Sequence, residues 1–317
     1  MARPFRFGVQ SFAAANPGAF RAQAKRAEEL GYSAFHLADH YFGPGPAMKR
    51  ANHPQQDIAA VPAMAVAIEA TSTIKVGCRV FCVDYHQPVV LAKELATLDY
   101  FSEGRLEIGL GAGWITSEYE AMGIPMDRAG VRIERLGEVT SFVRQWFADG
   151  NMGSGEAAYQ AIPRRADGST PPIMIGGGSQ KILTLAGCLA DIVSINFDNS
   201  AGAIGAKGIA SGVPARTAEK LGWIRAGAAS SGNDPEIEIA AYFATITDSA
   251  TVVEKTAGAF AMTVEQFTEY PHALAGPVSA VCDELERRRS ASGISYVTVG
   301  ATNMESFAPV VARMAGK

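Results

Sequence analysis

Short apolar runs suited to strands alternate with helically spaced stretches from one end of the chain to the other, and that alternation restricts the fold to a parallel sheet with crossover helices. The strand segments are residues 5–10, 34–38, 75–82, 106–110, 173–175, 192–195, a stretch within 236–246, and 296–299. The spacing predicts helices over 17–31, 57–71, 88–101, 131–147, 180–189, 216–231, 277–292 and 304–315, with a shorter one at 116–122. Boundary chemistry supports several of them. Asn16 before Pro17 is a capping residue followed by proline at the first helical position, and Gly31 ends that helix. Eight pairs in 317 residues fit an α/β fold of the (β/α)8 TIM-barrel type with insertions better than an open sheet. Residues 1–317 contain no interdomain linker and are expected to form a single domain; 149–170 reads as an excursion without periodicity, the Gly-rich run 197–214 as a mobile or functional loop and 250–270 as an insertion.

A barrel concentrates its active site at the C-terminal ends of the strands. There the chain places Gln10 and Ser11, then Asp39 and His40, then Cys82, Val83 and Asp84. Further on come Gly111, Ala112, Gly113 and Trp114, then Gly176, Gly177, Gly178, Ser179 and Gln180. His40 can donate or accept a proton near neutral pH; the alternative is that Asp39 and His40 only cap the loop. His36, inside the strand, reads as structural. Pro171 to Gln180 is a buried strand running into three glycines and a helix start, the outline of a phosphate cradle or of a tight empty turn. The Trp114 indole can stack on a flat ligand or simply pack. Asp127 reads as a helix cap, and Arg132 and Arg135 share a helix face suited to salt bridges. Lys49, Arg50 and Lys207 read as solvated surface or as contacts to an acidic ligand tail.

Several chemistries are disfavoured. A net charge of -4 and a pI near 5.8 argue against a nucleic-acid partner. No apolar run is long enough to span a membrane and no secretory leader is visible at Met1 to Phe7, so a cytoplasmic protein without a membrane partner is expected. Cys78 and Cys82, on one strand, would lie roughly 13 Å apart, too far for a disulfide or a shared zinc. No lysine sits at a strand's C-terminal end for a Schiff base, and no ligand cluster points to a metal. Gly109 to Trp114 has Trp where a dinucleotide fingerprint needs its last glycine. A barrel that only binds a phosphorylated ligand stays open on these residues, as does a non-redox enzyme.

Taken together, Leu37-Ala38-Asp39-His40, Tyr85-His86-Gln87-Pro88, Leu91 to Asp99, Gly104 to Trp114 with Glu118-Tyr119, and Pro171 to Gly178 resemble the bacterial luciferase-like superfamily of barrel oxidoreductases. Asp127 to Leu136 and Phe307 to Met314 look most like its actinobacterial F420-dependent members. The resemblance implies a homodimer that binds coenzyme F420, or alternatively FMN, and a small-molecule substrate. It implies a catalytic role for His40, with Asp39, Cys82 and Val83 near the ring and Gly111, Ala112, Gly113 and Trp114 bordering it. Ser117 and Tyr119 would meet the ribityl chain, and Gly176, Gly177, Gly178, Ser179 and Gln180 the phosphate. It also implies a nonprolyl cis peptide in the third strand, with Cys78–Arg79 as the candidate. Trp114 stands where sugar-phosphate dehydrogenases of this kind carry a glutamate, which puts sugar-phosphate oxidation in doubt.

Overall fold

The apolar runs pair edge to edge and close on themselves. A computed structural model of the chain describes residues 2–317. The barrel strands are β1 (Arg6–Gln10), β2 (Ala34–Leu37), β3 (Lys75–Cys78), β4 (Leu106–Gly111), β5 (Ile173–Gly177), β6 (Ile192–Ile195), β7 (Glu236–Ala241) and β8 (Ile294–Gly300). Each is parallel to its neighbours, and β8 pairs with β1, Phe7 opposite Val297 and Val9 opposite Val299. Helices α1 (Pro17–Glu29), α2 (Ala60–Ala70), α3 (Pro88–Phe101), α4 (Ala129–Ala148), α5 (Gln180–Leu189), α6 (Pro214–Ser231), α7 (Val278–Ser292) and α8 (Met304–Met314) surround it. Covering both faces of every strand explains why β2 and β4 are buried at every residue and lack polar alternation.

The barrel interior is charged in two places. Arg6 bridges Glu107 and Glu236 near the N-terminal ends of the strands, with His36 and Tyr296 also on Glu107. Toward the other end Arg79 pairs with Glu238 and reaches Ser194. Buried charges persist only with such partners.

The third strand differs from expectation. It does not run unbroken over 75–82: after β3 the chain turns, and Phe81–Cys82 resumes pairing opposite Leu110 and Gly111. The cis peptide is Arg79–Val80, one residue beyond the expected Cys78–Arg79. The turn sends the Arg79 side chain inward to Glu238, and Gln10 Nε2 donates to the Arg79 carbonyl at 3.0 Å. Val80 is received by two glycines of β4. A Cβ on Gly109 would lie 3.0 Å from Val80 Cγ1, and one on Gly111 only 2.5 Å from Val80 Cγ2.

Other departures are local. Asp127 does not cap its helix; Arg128 is the cap residue, and the Asp127 carboxylate takes Arg135 at 2.5 Å, a charged donor that outcompetes a backbone amide. The loop after β2 contains a helix, Pro46–Ala51, started by its proline. Residues 149–170 include a small hairpin, Asn151–Met152 with Tyr159–Gln160. After β7 the chain leaves the barrel at Tyr242, and Phe243–Ile246 pairs in parallel with Ala273–Gly276 in a separate two-stranded sheet. Among the described residues no helix is long and apolar enough to cross a membrane.

Candidate active site

Four strand ends and the short helix Thr116–Met122 build the site. Beyond β2, the Asp39 carboxylate accepts from the Cys82 amide at 3.0 Å and from His86 Nε2 at 2.8 Å, tying the exits of the second and third strands together. The next residue, His40, has its Nδ1 2.9 Å from Glu118 Oε2. Glu118 lies two residues into Thr116–Met122, which starts directly after the Gly111 to Trp114 turn, and its side chain is fully buried. Its carboxylate also accepts from the Tyr41 amide at 2.9 Å and the Tyr85 hydroxyl at 3.2 Å. Burial alone would push the Glu118 carboxyl up; the hydrogen bond and charge of His40, with the Tyr41 amide, outweigh it and hold the carboxyl below its usual range. An ionised Glu118 accepts a hydrogen bond from His40 Nδ1–H, so the other ring nitrogen is the one left toward the cavity.

His53 lies over His40, with ring centroids 4.3 Å apart, and meets Trp114 edge-on at 5.5 Å. Its Nδ1 donates to the Pro54 carbonyl at 2.7 Å. Burial, followed by the neighbouring His40, pushes His53 down to about 3, so it stands as a neutral ring at neutral pH.

These groups open on a cavity of about 790 Å³ at the C-terminal mouth of the barrel, within the range of small-molecule sites. Of the residues expected from sequence, Asp39, His40 and Cys82 line it, as do Gly111, Ala112, Gly113 and Trp114. Gly176, Gly177, Gly178 and Ser179 line it from β5 and the start of α5. A Cβ on Gly178 would sit 1.9 Å from the Phe197 carbonyl oxygen, so only glycine passes there, and Ser179 caps α5 without using its side chain. The first-turn amides of α5 thus face the cavity rim without a side-chain acceptor.

Four expected residues sit elsewhere. Val83 is buried in the turn after Cys82. Ser117 Oγ donates to the Ala47 carbonyl at 2.7 Å, and Gln180 is exposed at the head of α5. Tyr119 is buried behind the wall, its hydroxyl donating to Asp84 Oδ2 at 2.7 Å and lying 3.3 Å from Cys82 Sγ. Burial pushes the Cys82 thiol up to about 12, against the Tyr119 bond, so it stays protonated and is no nucleophile at neutral pH.

Arg135 pairs with Asp84 and Asp127, as its helix face suggests. Arg132 instead donates to the carbonyls of Ala112 at 2.8 Å, Gly113 at 2.5 Å and Asp127 at 3.0 Å, bracing the Gly111 to Trp114 turn. Sequence reasoning missed Arg79, Glu238, His53 and Tyr242 and did not give Glu118 a role. Arg79 was signalled by being the one charge inside an apolar run, and Glu238 by its period-two spacing from Glu236. Among the described residues no group of three His, Cys, Asp or Glu is placed to hold a metal ion.

Comparison with known proteins accords with this geometry. Residues 1–292 match the profile of the luciferase-like monooxygenases. Limonene 1,2-monooxygenase of Rhodococcus erythropolis is 30% identical over 173 residues, 50% of this chain and 42% of that protein. F420-dependent glucose-6-phosphate dehydrogenase of Amycolatopsis mediterranei is 26% identical over 172 residues, covering 53% of this chain and 50% of that one. The chain therefore spans half or less of the length of these curated relatives. The coenzyme F420 dependent tetrahydromethanopterin reductase of Methanopyrus kandleri shares the fold, with a TM-score of 0.71 over 98% of both chains at 20% identity. The profile match over nearly the whole chain and the closed parallel barrel lead to one conclusion: the chain belongs to the luciferase-like monooxygenase family of oxidoreductases.

Proposed function

We propose that the protein moves a hydride between coenzyme F420 and a small organic substrate, with His40 handling the accompanying proton. The observation that carries this reading is the His40–Glu118 pair: a titratable ring, held in one tautomer by a buried carboxylate, on the wall of a ligand-sized cavity. The wall suits a flat ring joined to a phosphate. Val80, set against Gly109, Gly111 and Gly176, offers methyl groups and bare backbone as a platform, and the Gly176 to Ser179 turn at the head of α5 offers amides to an anion.

When bound, reduced F420 supplies two electrons and a hydrogen as hydride. In the reducing direction a substrate carbonyl carbon gains that hydride while its oxygen gains a proton through His40; oxidation of an alcohol reverses both transfers. Glu118 steadies the His40 ring through Nδ1. Asp39, Cys82 and the Gly111 to Trp114 turn border the ring, while Val83, Ser117 and Tyr119 support that wall from behind. Gln180 contributes as the first residue of α5. The same reading expects a cytoplasmic homodimer, which light scattering checks.

The second reading is an FMN-dependent monooxygenase, favoured by the 30% identity to limonene 1,2-monooxygenase. Titrating the purified protein with F420 and with FMN, in both redox states, separates the two. The expected result is micromolar F420 binding with FMN at least about tenfold weaker. Micromolar FMN binding without F420 binding transfers the site to the second reading.

A further inference from the structure

The cavity carries two groups of aromatic side chains from different parts of the rim. Phe12, His53 and Trp114 form one, with ring centroids 5.8 Å apart between Phe12 and His53 and 5.5 Å between His53 and Trp114. Phe197, Tyr242 and Phe243 form the other, at 5.3 Å and 6.5 Å. The first group comes from the loops after β1, β2 and β4. The second follows β6 and β7, which lie across the barrel from β2 and β3 in the strand order.

The charges on the wall are already engaged. Arg79 is enclosed and paired with Glu238, its Nε 3.2 Å from each carboxylate oxygen. Arg132 spends its donors on three backbone carbonyls. No lysine lines the cavity among the described residues. Of the carboxylates on the wall, Asp39 and Glu118 are buried against their own donors, and Asp198 accepts from the Ser200 amide at 3.0 Å. An anion entering here would surrender its hydration without meeting a free cation, whereas a neutral ring would bury apolar surface against six aromatic side chains. The amides at the head of α5 are the exception, and the proposed function assigns them to the cofactor's phosphate.

We infer that the substrate is a neutral ketone or alcohol carrying an aromatic or similarly flat apolar group, held between the two aromatic walls with its oxygen toward His40. This rests on the hydride-transfer reading for the role of the oxygen and on the lining alone for charge and shape.

Three matched probes test it: acetophenone, 4-acetylbenzoate and 4-acetyl-N,N,N-trimethylanilinium, titrated against the purified protein by calorimetry. Each titration is run without cofactor and again with whichever cofactor binds at saturation. Acetophenone is expected to bind about tenfold or more tightly than either charged analogue. Tyr242→Ala, on a residue 39% exposed, and Phe12→Leu are each expected to weaken acetophenone at least about threefold with the thermal transition retained. Equal or tighter binding of a charged analogue, no saturable acetophenone binding, or unchanged binding in both variants overturns the inference. Loss of F420 binding, by contrast, overturns the cofactor reading and leaves the charge preference measured without cofactor intact.

Discussion

Two histidine–glutamate pairs stand four residues apart on β2 and its exit, and they differ in everything except the bond. His36 Nε2 is 3.0 Å from Glu107 Oε1, with both side chains 1% exposed inside the barrel. His40 Nδ1 is 2.9 Å from Glu118 Oε2, with His40 13% exposed on the cavity wall. Glu107 also takes Arg6 at 2.5 Å and the Tyr296 hydroxyl at 2.8 Å, so its charge is balanced by a permanent cation. Burial pushes the Glu107 carboxyl up, but His36 and Arg6 outweigh it and hold it down at about 2. The remaining nitrogen of His36 is buried without a partner. The same pair chemistry therefore lies sealed inside the barrel in one place and on a cavity wall in the other, where the proposed function gives it a proton to handle. What separates them is access to the second ring nitrogen.

The comparison breaks most sharply through the histidines. Replacing His40 with Ala should lower turnover by about 10²- to 10⁴-fold while unfolding free energy falls by about 1–2 kcal/mol, since Glu118 keeps only the Tyr41 amide and the Tyr85 hydroxyl. His36→Ala should do the reverse, costing about 2–4 kcal/mol in urea unfolding with turnover per folded molecule within a few-fold. Equal turnover in the two variants would erase the distinction.

The carboxylates sharpen it next. Glu107→Gln removes the anion shared by Arg6 and His36 and should cost about 3–5 kcal/mol of stability. Glu118→Gln, whose partners are two neutral donors and a histidine, should cost about 1–2 kcal/mol and lower turnover about tenfold. Urea midpoints and steady-state kinetics on both variants check the contrast.

Acid provides the smallest test. Glu107 has a folded value of about 2 against an ordinary 4.5, so its stabilising contribution is fully present above pH 4.5 and is lost as the pH falls from there toward 2. The stability gap between wild type and Glu107→Gln should narrow by about 1–3 kcal/mol across that window. A gap that stays constant from pH 6 to 3 would mean that Glu107 is not held ionised.

Much of the frame was legible because its signals are local. β5 is a short apolar run between Pro172 and a glycine turn, β6 a short run between Asp191 and Asn196, and Thr116–Met122 and the Asn16-capped helix match their expected limits closely. The break after Cys78 was not legible: the run 76–82 is interrupted only by Arg79 and a glycine, and room for Val80 depends on Gly109, Gly111 and Gly176 on other strands. Position on a helix was readable, but its facing was not. Three consecutive residues point three ways, Ser117 to Ala47, Glu118 to His40 and Tyr119 to Cys82. His53 reaches the site from a loop with no periodicity, and Phe243–Ile246 reads as more of the seventh strand until its pairing with Ala273–Gly276 is seen.

That outlying two-stranded sheet has a consequence for how such a protein can change. Phe267, Tyr270, Ala257 and Ala273 pack with Phe197 in a small cluster of their own, apart from the main barrel core. The segment between Tyr242 and Gly276 thus has an aromatic centre of its own, yet it is tied to the barrel by Arg288 of α7, which donates to the carbonyls of Thr268, Tyr270, Pro271 and Ala273, and by Leu274 in the main core. Its Tyr242 ring lies 5.9 Å from the Arg79 guanidinium, so replacing the whole segment would touch the ion pair beneath, whereas exchanges inside the small Phe267 cluster would not.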